Sequence, residues 1–320
     1  MMKNQAILEL MHTFDINAIY AHKVFDLADK KKLISDASRI ISEKPKPFVK
    51  WVGGKRQLLT QFRLLNLYPP ENFNPITSKY FEPFVGGGAV FFDLQPEKAM
   101  LSDLNTDLIT TYTVIKNNVN ELISSLKELE MKRDIESFLH IREQNPENLT
   151  VVEVASRFIY LNRTCFNGMY RVNSKGKFNV PYGKYSNPTI CDEENLRRVS
   201  NVLKYVEIIQ QDYKEVLKQA QKNDFIYFDP PYYPMSITAS FTSYTSMPFL
   251  KKEQIELRDI FMELHDRKCF VMLSNSDTPF IHEIYSDFEG IRITKVSAGR
   301  AINSNASKRG KITEVVVTNY

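Results

Sequence analysis

From Phe48 onward, short apolar runs alternate with segments whose apolar residues recur at helical spacing. That alternation predicts an α/β fold: a mostly parallel sheet with helices on both faces. Strands are expected at Lys79–Phe84, Ala99–Ser102, Val206–Gln210, Phe225–Phe228 and Cys269–Leu273. They run into Gly86-Gly87-Gly88, Asp103, Asp212, Asp229 and Ser274-Asn275 respectively. In an open α/β sheet these carboxyl-end residues line the crevice where ligands bind, so the chemistry is expected there. Two later strands, near Ile291–Val296 and Ile312–Thr318, flank a loop rich in Ser, Asn and basic residues and are expected to form an antiparallel hairpin at the sheet edge. Between Asp103 and Val206 the alternation stops: residues 105–163 read as helical, and Arg171–Pro181 as a hairpin turning at Ser174-Lys175-Gly176-Lys177. Residues 1–47 read as short amphipathic helices, with Ile16, Ile19, Tyr20, Val24, Phe25 and Leu27 among polar residues, closed by Lys44-Pro45-Lys46-Pro47. The expected organisation is a helical extension over 1–47 on a stiff linker, a sheet domain from 48–104 and 205–320, and an inserted lobe over 105–204.

Composition narrows the class. At 320 residues and 43% hydrophobic, the chain can bury a large core, which excludes disordered, collagenous and small disulfide-bonded classes. No apolar run approaches the roughly 18 residues of a membrane span. The start MMKNQAILELMHTFD lacks the ordered regions of a signal peptide. A cytoplasmic enzyme with no membrane partner is expected. Cys165, Cys191 and Cys269 form no CxxC and have no His at ligand spacing, so reduced thiols and no metal site are expected.

The net charge of +4 is unevenly spread. Residues 154–191 hold Arg157, Arg163, Arg171, Lys175, Lys177 and Lys184 with no acid, and residues 291–313 hold Arg292, Lys295, Arg300, Lys308, Arg309 and Lys311, again with no acid. The rest of the chain has 30 basic and 38 acidic groups, a balance of −8. An acidic body with two basic strips matches a polyanion footprint, although a solvated basic face gives the same pattern.

Four segments carry chemistry. Tyr80 to Phe92 (YFEPFVGGGAVFF) reads as strand, glycine turn and helix, where a ligand can approach the backbone and the free amides of a helix start. Phe91 stands where a dinucleotide fingerprint needs its third glycine, which disfavours nicotinamide binding. Asp103 ends the next strand, placed to accept bonds from ribose hydroxyls or simply to cap the following helix. Asp229-Pro230-Pro231-Tyr232 follows an apolar strand. Its prolines remove two donors and stiffen the turn, so the Asp229 carboxylate and the Pro230 carbonyl can act as a fixed pair of acceptors for a planar amino group. Tyr232 then offers a flat face to an extruded base; a rigid structural turn is the alternative. Phe48 to Arg56 (FVKWVGGKR) reads as a ligand lid or as a helix start with a core tryptophan.

With these pieces in this order, the chain resembles the DNA adenine methylases of the Dam and Dpn type, the alpha group of amino-methyltransferases. The resemblance runs from Phe48 to Tyr320 and includes Asn162–Tyr185 (NRTCFNGMYRVNSKGKFNVPYGKY) and the C-terminal SNASKRGKITEVVVTNY. Residues 1–47 have no counterpart in it. It implies a Rossmann-like methyltransferase sheet, S-adenosylmethionine as donor, no metal, and the exocyclic N6 of adenine in double-stranded DNA as acceptor, reached by base flipping. Trp51, Lys55, Phe84, Gly86, Gly88 and Asp103 match its cofactor positions, with Asp212 on the adenine side of the cofactor, and Asp229 to Tyr232 match its catalytic tetrapeptide, Asp229 also bordering the cofactor.

The lobe over 105–204 resembles the family's target-recognition domain. Asn167, Met169, Arg171 and Pro181 fall where relatives that read GATC touch bases, with Arg171 expected on a guanine edge. Lys175, Arg300, Lys308 and Arg309 are expected on the DNA. The resemblance leaves oligomeric state open, with a monomer expected, and does not separate a restriction-modification role from a stand-alone one. An RNA or protein-glutamine methyltransferase would ordinarily carry Asn at the first tetrapeptide position. A catalytically inactive DNA-binding regulator would be expected to lose functional residue types that this chain keeps.

Overall fold

The computed structural model describes residues 3–29, 32–235, 249–299 and 311–320. Its centre is a seven-stranded sheet of β1 (Tyr80–Glu82), β2 (Ala99–Asp103), β3 (Glu207–Gln210), β4 (Phe225–Phe228), β5 (Phe270–Ser276), β6 (Arg292–Gly299) and β7 (Lys311–Thr318). The spatial order is β3-β2-β1-β4-β5-β7-β6. The first five strands are parallel, while β7 runs antiparallel between β5 and β6. Chain order reverses at β1 and β4, which pair directly with Tyr80 opposite Phe225, so the ligand crevice of such a sheet opens above their carboxyl ends.

Alternation along the strands builds a core on each face. On β4, Phe225 and Tyr227 enter one cluster, and Ile226 and Phe228 the other. β5 runs longer than its sequence suggests. Pairing with β7 carries it through Ser274, Asn275 and Ser276, which lie opposite Val316, Val315 and Glu314. The polar pair read as a strand end is therefore buried inside the strand.

The N-terminal helices α1 (Lys3–Phe14), α2 (Ala18–Leu27) and α3 (Leu33–Ser42) share a small core of Ile7, Leu10, Ile16, Tyr20, Ala21, Val24 and Ala37. Helices α4 (Leu59–Leu64) and α5 (Ala89–Leu94) lead into and out of β1. Between β2 and β3 come α6 (Thr106–Asn117), α7 (Val119–Glu130), α8 (Ile135–Glu143), α9 (Val151–Thr164) and α10 (Glu193–Leu203). Their apolar faces join the same core as one sheet face. A full capping box starts α9, with Thr150 and Glu153 satisfying each other's backbone amides. α11 (Lys251–Asp266) and α12 (Pro279–Tyr285) cover the opposite face. No helix among the described residues is long and apolar enough to cross a membrane.

The segment read as a stiff linker is held along its length. Lys44 reaches Asp93 at 2.7 Å, and Lys46 exchanges two bonds of 2.9 Å with the Asn195 side chain on α10. Asp93 also accepts from Arg63 (2.9 Å), Tyr68 and Asn17 (3.2 Å), and Asp15 pairs with the same Arg63 at 2.9 Å, so the N-terminal segment docks against α4 and α5 through two carboxylates that share one guanidinium. Despite burial, Lys44 and Arg63 hold the Asp93 carboxyl below its ordinary range.

Candidate active site

The turn after β4 and the loop after β1 meet at the reversal point. Lys55, in a single 3-10 turn at Lys55–Gln57, sends its ammonium to both Asp229 oxygens, at 2.7 and 2.8 Å, and to the Gly53 carbonyl. The same ammonium lies 4.9 Å from the centre of the Tyr232 ring. Tyr232 donates its phenol hydrogen to Glu314 on β7 at 2.8 Å. Two segments distant in sequence, around Lys55 and on β7, thus converge on the tetrapeptide. Burial pushes the Asp229 carboxyl up to about 6, against the pull of Lys55 in the opposite direction. Glu82, at the end of β1, is also buried; burial takes it to about 8 although the Tyr80 hydroxyl (2.8 Å) and the Phe91 amide (3.2 Å) both donate to it.

Beside this pair runs the glycine loop. Gly86 and Gly88 sit at φ +45° and +67°, where a side chain is strained. A Cβ on Gly86 would lie 2.6 Å from the Trp51 indole, and one on Gly88 2.6 Å from the Tyr112 hydroxyl. Tyr112 itself donates to the Gly86 carbonyl at 3.1 Å. Asp103 accepts from the Gly86 amide (3.2 Å) and the Asn105 amide (3.0 Å), one on each oxygen. Each oxygen keeps a second lone pair for a further donor. Burial raises the Asp103 carboxyl above its ordinary value. Phe84 stacks on Tyr213 at 5.1 Å and meets Phe249 edge-on at 5.8 Å, an aromatic wall on the same rim.

Asp212, expected on the cofactor side, accepts from Lys214 N at 3.0 Å and caps the following 3-10 turn. Its present bond is structural, while its position after β3 keeps it on the same sheet edge.

The expected DNA-reading residues lie on a compact loop rather than a regular two-stranded hairpin. Isolated antiparallel bridges join Cys165 to Tyr182 and Val172 to Phe178. Asn167 takes a left-handed φ of 56°, which Asn tolerates better than most residues. Arg171 is exposed and held by Asn179, whose side-chain oxygen accepts from Nε at 2.7 Å. Lys175 and Pro181 are exposed, and Met169 is half-buried against the core. Arg300, Lys308 and Arg309 lie outside the described residues.

The basic strips need correcting. Arg157 is buried and donates to the carbonyls of Ile141 and Arg142 at 3.0 and 2.7 Å, while Arg163 donates to the Phe48 carbonyl at 2.7 Å. Lys295 pairs with Asp277 at 3.0 Å. Arg157 and Arg163 hold the fold instead of facing a polyanion, because α9 is packed on nearly every side from Ala155 to Thr164.

The aromatic stack ties the two regions together. Trp51 stacks on Tyr170 at 6.2 Å, and Tyr170 bonds Asp107 at 3.1 Å. Asn162, almost fully buried, accepts from Lys50 N and donates to Lys50 O and Gly168 O, each at 2.8 Å. Glu82, Glu314, Asn162 and Asn275 carried no assigned role in the sequence; Glu314, Asn162 and Asn275 acquire partners remote along the chain, while Glu82 bonds Tyr80 and Phe91 within its own strand-turn-helix unit.

Comparison with known proteins agrees with this geometry. A family model described as D12 class N6 adenine-specific DNA methyltransferase matches residues 51–302. The Type II methyltransferase M1.LlaDCHI of Lactococcus lactis subsp. cremoris is 45% identical over 281 residues, covering 86% of this chain and 95% of that protein. The Type II methyltransferase M.MjaIII of Methanocaldococcus jannaschii is 44% identical over 292 residues, covering 86% of this chain and 99% of that protein. The DNA adenine methylase of Escherichia coli K12 is 32% identical over 279 residues, covering 86% and 95% respectively.

Proposed function

Because the chain belongs to the D12 class of N6 adenine-specific DNA methyltransferases, we propose that it flips an adenine out of duplex DNA and methylates N6 from S-adenosylmethionine, at the sequence GATC. The observation that carries the reading is the meeting of Asp229 and Tyr232 with Lys55 at the β1–β4 reversal, with Trp51 of the same segment packed on Gly86.

The residues around the loop fit an adenosine-bearing cofactor. Asp103 presents a half-buried carboxylate with acceptor capacity left over, Gly86 and Gly88 let the loop backbone pass close against Trp51 and Tyr112 where a side chain would clash, and Phe84 with Tyr213 supplies an aromatic wall. Trp51, Lys55, Phe84, Gly86, Gly88, Asp103 and Asp212 would hold it, with Asp229 at the border. When bound, S-adenosylmethionine supplies a methyl group on a sulfonium, an electrophile already equipped with its leaving group.

The protein's task is then positioning, worth roughly 7–11 kcal/mol when both reactants are held close to their reacting geometry. Asp229 and the Pro230 carbonyl accept the two amino hydrogens and draw the nitrogen lone pair out of the ring. Tyr232 stacks on the flipped base and offsets part of the few kcal/mol spent on unstacking. Each Asp229 oxygen accepts one bond from Lys55 and keeps a lone pair for an amino hydrogen, so the ion pair orients the carboxylate without blocking the substrate.

Asn167, Met169, Arg171 and Pro181 lie on one loop, as base readout requires, and Lys175 sits beside them for phosphate. In this reading residues 48–104 and 205–320 form the catalytic unit and 105–204 the recognition unit. The Asp form of the tetrapeptide and the D12 match favour adenine in DNA over an RNA base or a glutamine amide. Incubation with S-adenosylmethionine and mixed duplexes, followed by sequencing of modified bases, tests the whole proposal. N6-methyladenine confined to GATC is the expected result; methylation only of RNA or protein, or none, overturns it.

A further inference from the structure

Behind the tetrapeptide lies a buried polar chain that the reaction as described leaves without a role. Asn275 on β5 is wholly buried, and Gln254, in the first turn of α11, is 1% exposed. The Tyr233 amide donates to Asn275 Oδ1 at 3.0 Å, Asn275 Nδ2 donates to Gln254 Oε1 at 2.9 Å, and Gln254 Nε2 donates to the Pro231 carbonyl at 3.0 Å. Ser276 adds a second tie, its Oγ donating to the Tyr233 carbonyl at 2.7 Å.

The direction of this chain is fixed at both ends. A backbone amide can only donate and a backbone carbonyl can only accept, so neither side-chain amide can be turned over without setting two like groups face to face. The ends are also the two peptide groups adjoining Tyr232: the Pro231 carbonyl belongs to the peptide before it, the Tyr233 amide to the peptide after it. Anchoring both restricts the φ and ψ of Tyr232 and so fixes the direction in which its side chain leaves the backbone. From the other side, Glu314 holds the ring's hydroxyl.

We propose that Gln254 and Asn275 are positioning residues for methyl transfer, acting through a one-way chain of buried amides that locks the backbone on both sides of Tyr232. This rests on the reading of Tyr232 as the face that receives the flipped base. The polar Ser274-Asn275 pair, visible in the sequence without an assignment, thereby gains a role.

The test is a double-mutant cycle on the full chain. Gln254→Met removes the amide at similar length, and Gln254→Glu keeps its shape while replacing the donor toward Pro231 with an acceptor. Each is made in the native background and with Tyr232→Ala. Single-turnover methylation of a GATC duplex, cofactor affinity and thermal unfolding are measured for all. With Tyr232 present, each Gln254 variant is expected to slow single-turnover transfer at least tenfold while changing cofactor affinity less than twofold. With Tyr232→Ala, the same change is expected to cost less than a further twofold.

Equal fold-losses in both backgrounds, or an unchanged rate in the first, overturn the inference. If Gln254→Met does not fold, Gln254→Glu carries the cycle alone. A native chain that methylates no adenine overturns the proposed function and this inference with it. An active native chain with an additive cycle removes only the inference.

Discussion

Asp229 must be ionised to accept hydrogens from an amino group, yet its surroundings disfavour the charge. Burial lifts its carboxyl to about 6, and the bond to Lys55 keeps it from rising further. Activity is therefore expected to fall as pH drops through about 6, where the carboxylate takes up a proton and loses acceptor capacity. Replacing Lys55 by Met removes the group that favours ionisation, so the acid limb of kcat/KM should move to higher pH. A limb that stays in place in a pH–rate profile would show that another group controls it. Arg171 works on a different property. Exposed and steadied by Asn179, it is expected to read one base pair, and Arg171→Ala should relax discrimination there by about 1–3 kcal/mol. Equal weakening on every duplex, measured by competition binding, would make it a phosphate contact. Of these residues the tetrapeptide was plain in the sequence, because proline rigidity and an acid after a strand are local features. The pairing of Lys55 with Asp229 was not, since 174 residues separate them.

Among the elements, the clearest mechanical link is Asn162 near the end of α9. Its one amide ties the Lys50 backbone, next to Trp51, to Gly168 in the loop proposed to read DNA. Asn162→Leu would orphan the buried Gly168 carbonyl and the part-buried amide and carbonyl of Lys50, each worth about 1–3 kcal/mol when left unsatisfied away from water. A stability loss on the order of 3 kcal/mol in urea unfolding is expected, with weaker binding of cofactor and DNA together. A loss confined to one ligand would show that the two loops do not move as a unit. The strands were legible from alternation, and four of the five parallel ones end within two residues of their expected limits. β5 is the exception, and the cause is a neighbour: β7 supplies ladder partners that extend it through Ser276.

On the scale of the molecule, the N-terminal helices are joined to the body through Asp93, whose carboxylate is lower than usual because Lys44 and Arg63 surround it in spite of burial. A lowered carboxyl contributes stability that is present above its ordinary value of 3.8 and lost as pH falls through the lowered one. Asp93→Ala takes from Lys44 its carboxylate partner and leaves Arg63 only the more exposed Asp15, and should cost about 3 kcal/mol near neutral pH, the low end for removing one partner of a buried pair. Below pH 3.8 the difference between native and variant should shrink, which thermal unfolding across pH can measure. A chain beginning at Pro47 should likewise unfold at lower temperature than the full chain, since it loses Lys44 and Asn17 from the same carboxylate. Unchanged stability would return these helices to the status of a free appendage.

The sequence by itself determined the α/β class, the parallel strands, the glycine loop and the Asp-Pro-Pro-Tyr turn. Those depend on residue spacing, on the conformational range of glycine and proline, and on side chains within a few positions of one another. Only the tertiary structure decided that Lys55 pairs with Asp229, that Glu314 holds Tyr232 from 82 residues away, and that Arg157 and Arg163 turn inward. It also brought Asn275 and Gln254 into one hydrogen-bonded chain that ends on the Asp-Pro-Pro-Tyr turn. Burial and charge pairing are properties of neighbours in space, and periodicity along the chain says which face of a strand or helix is covered without saying by what.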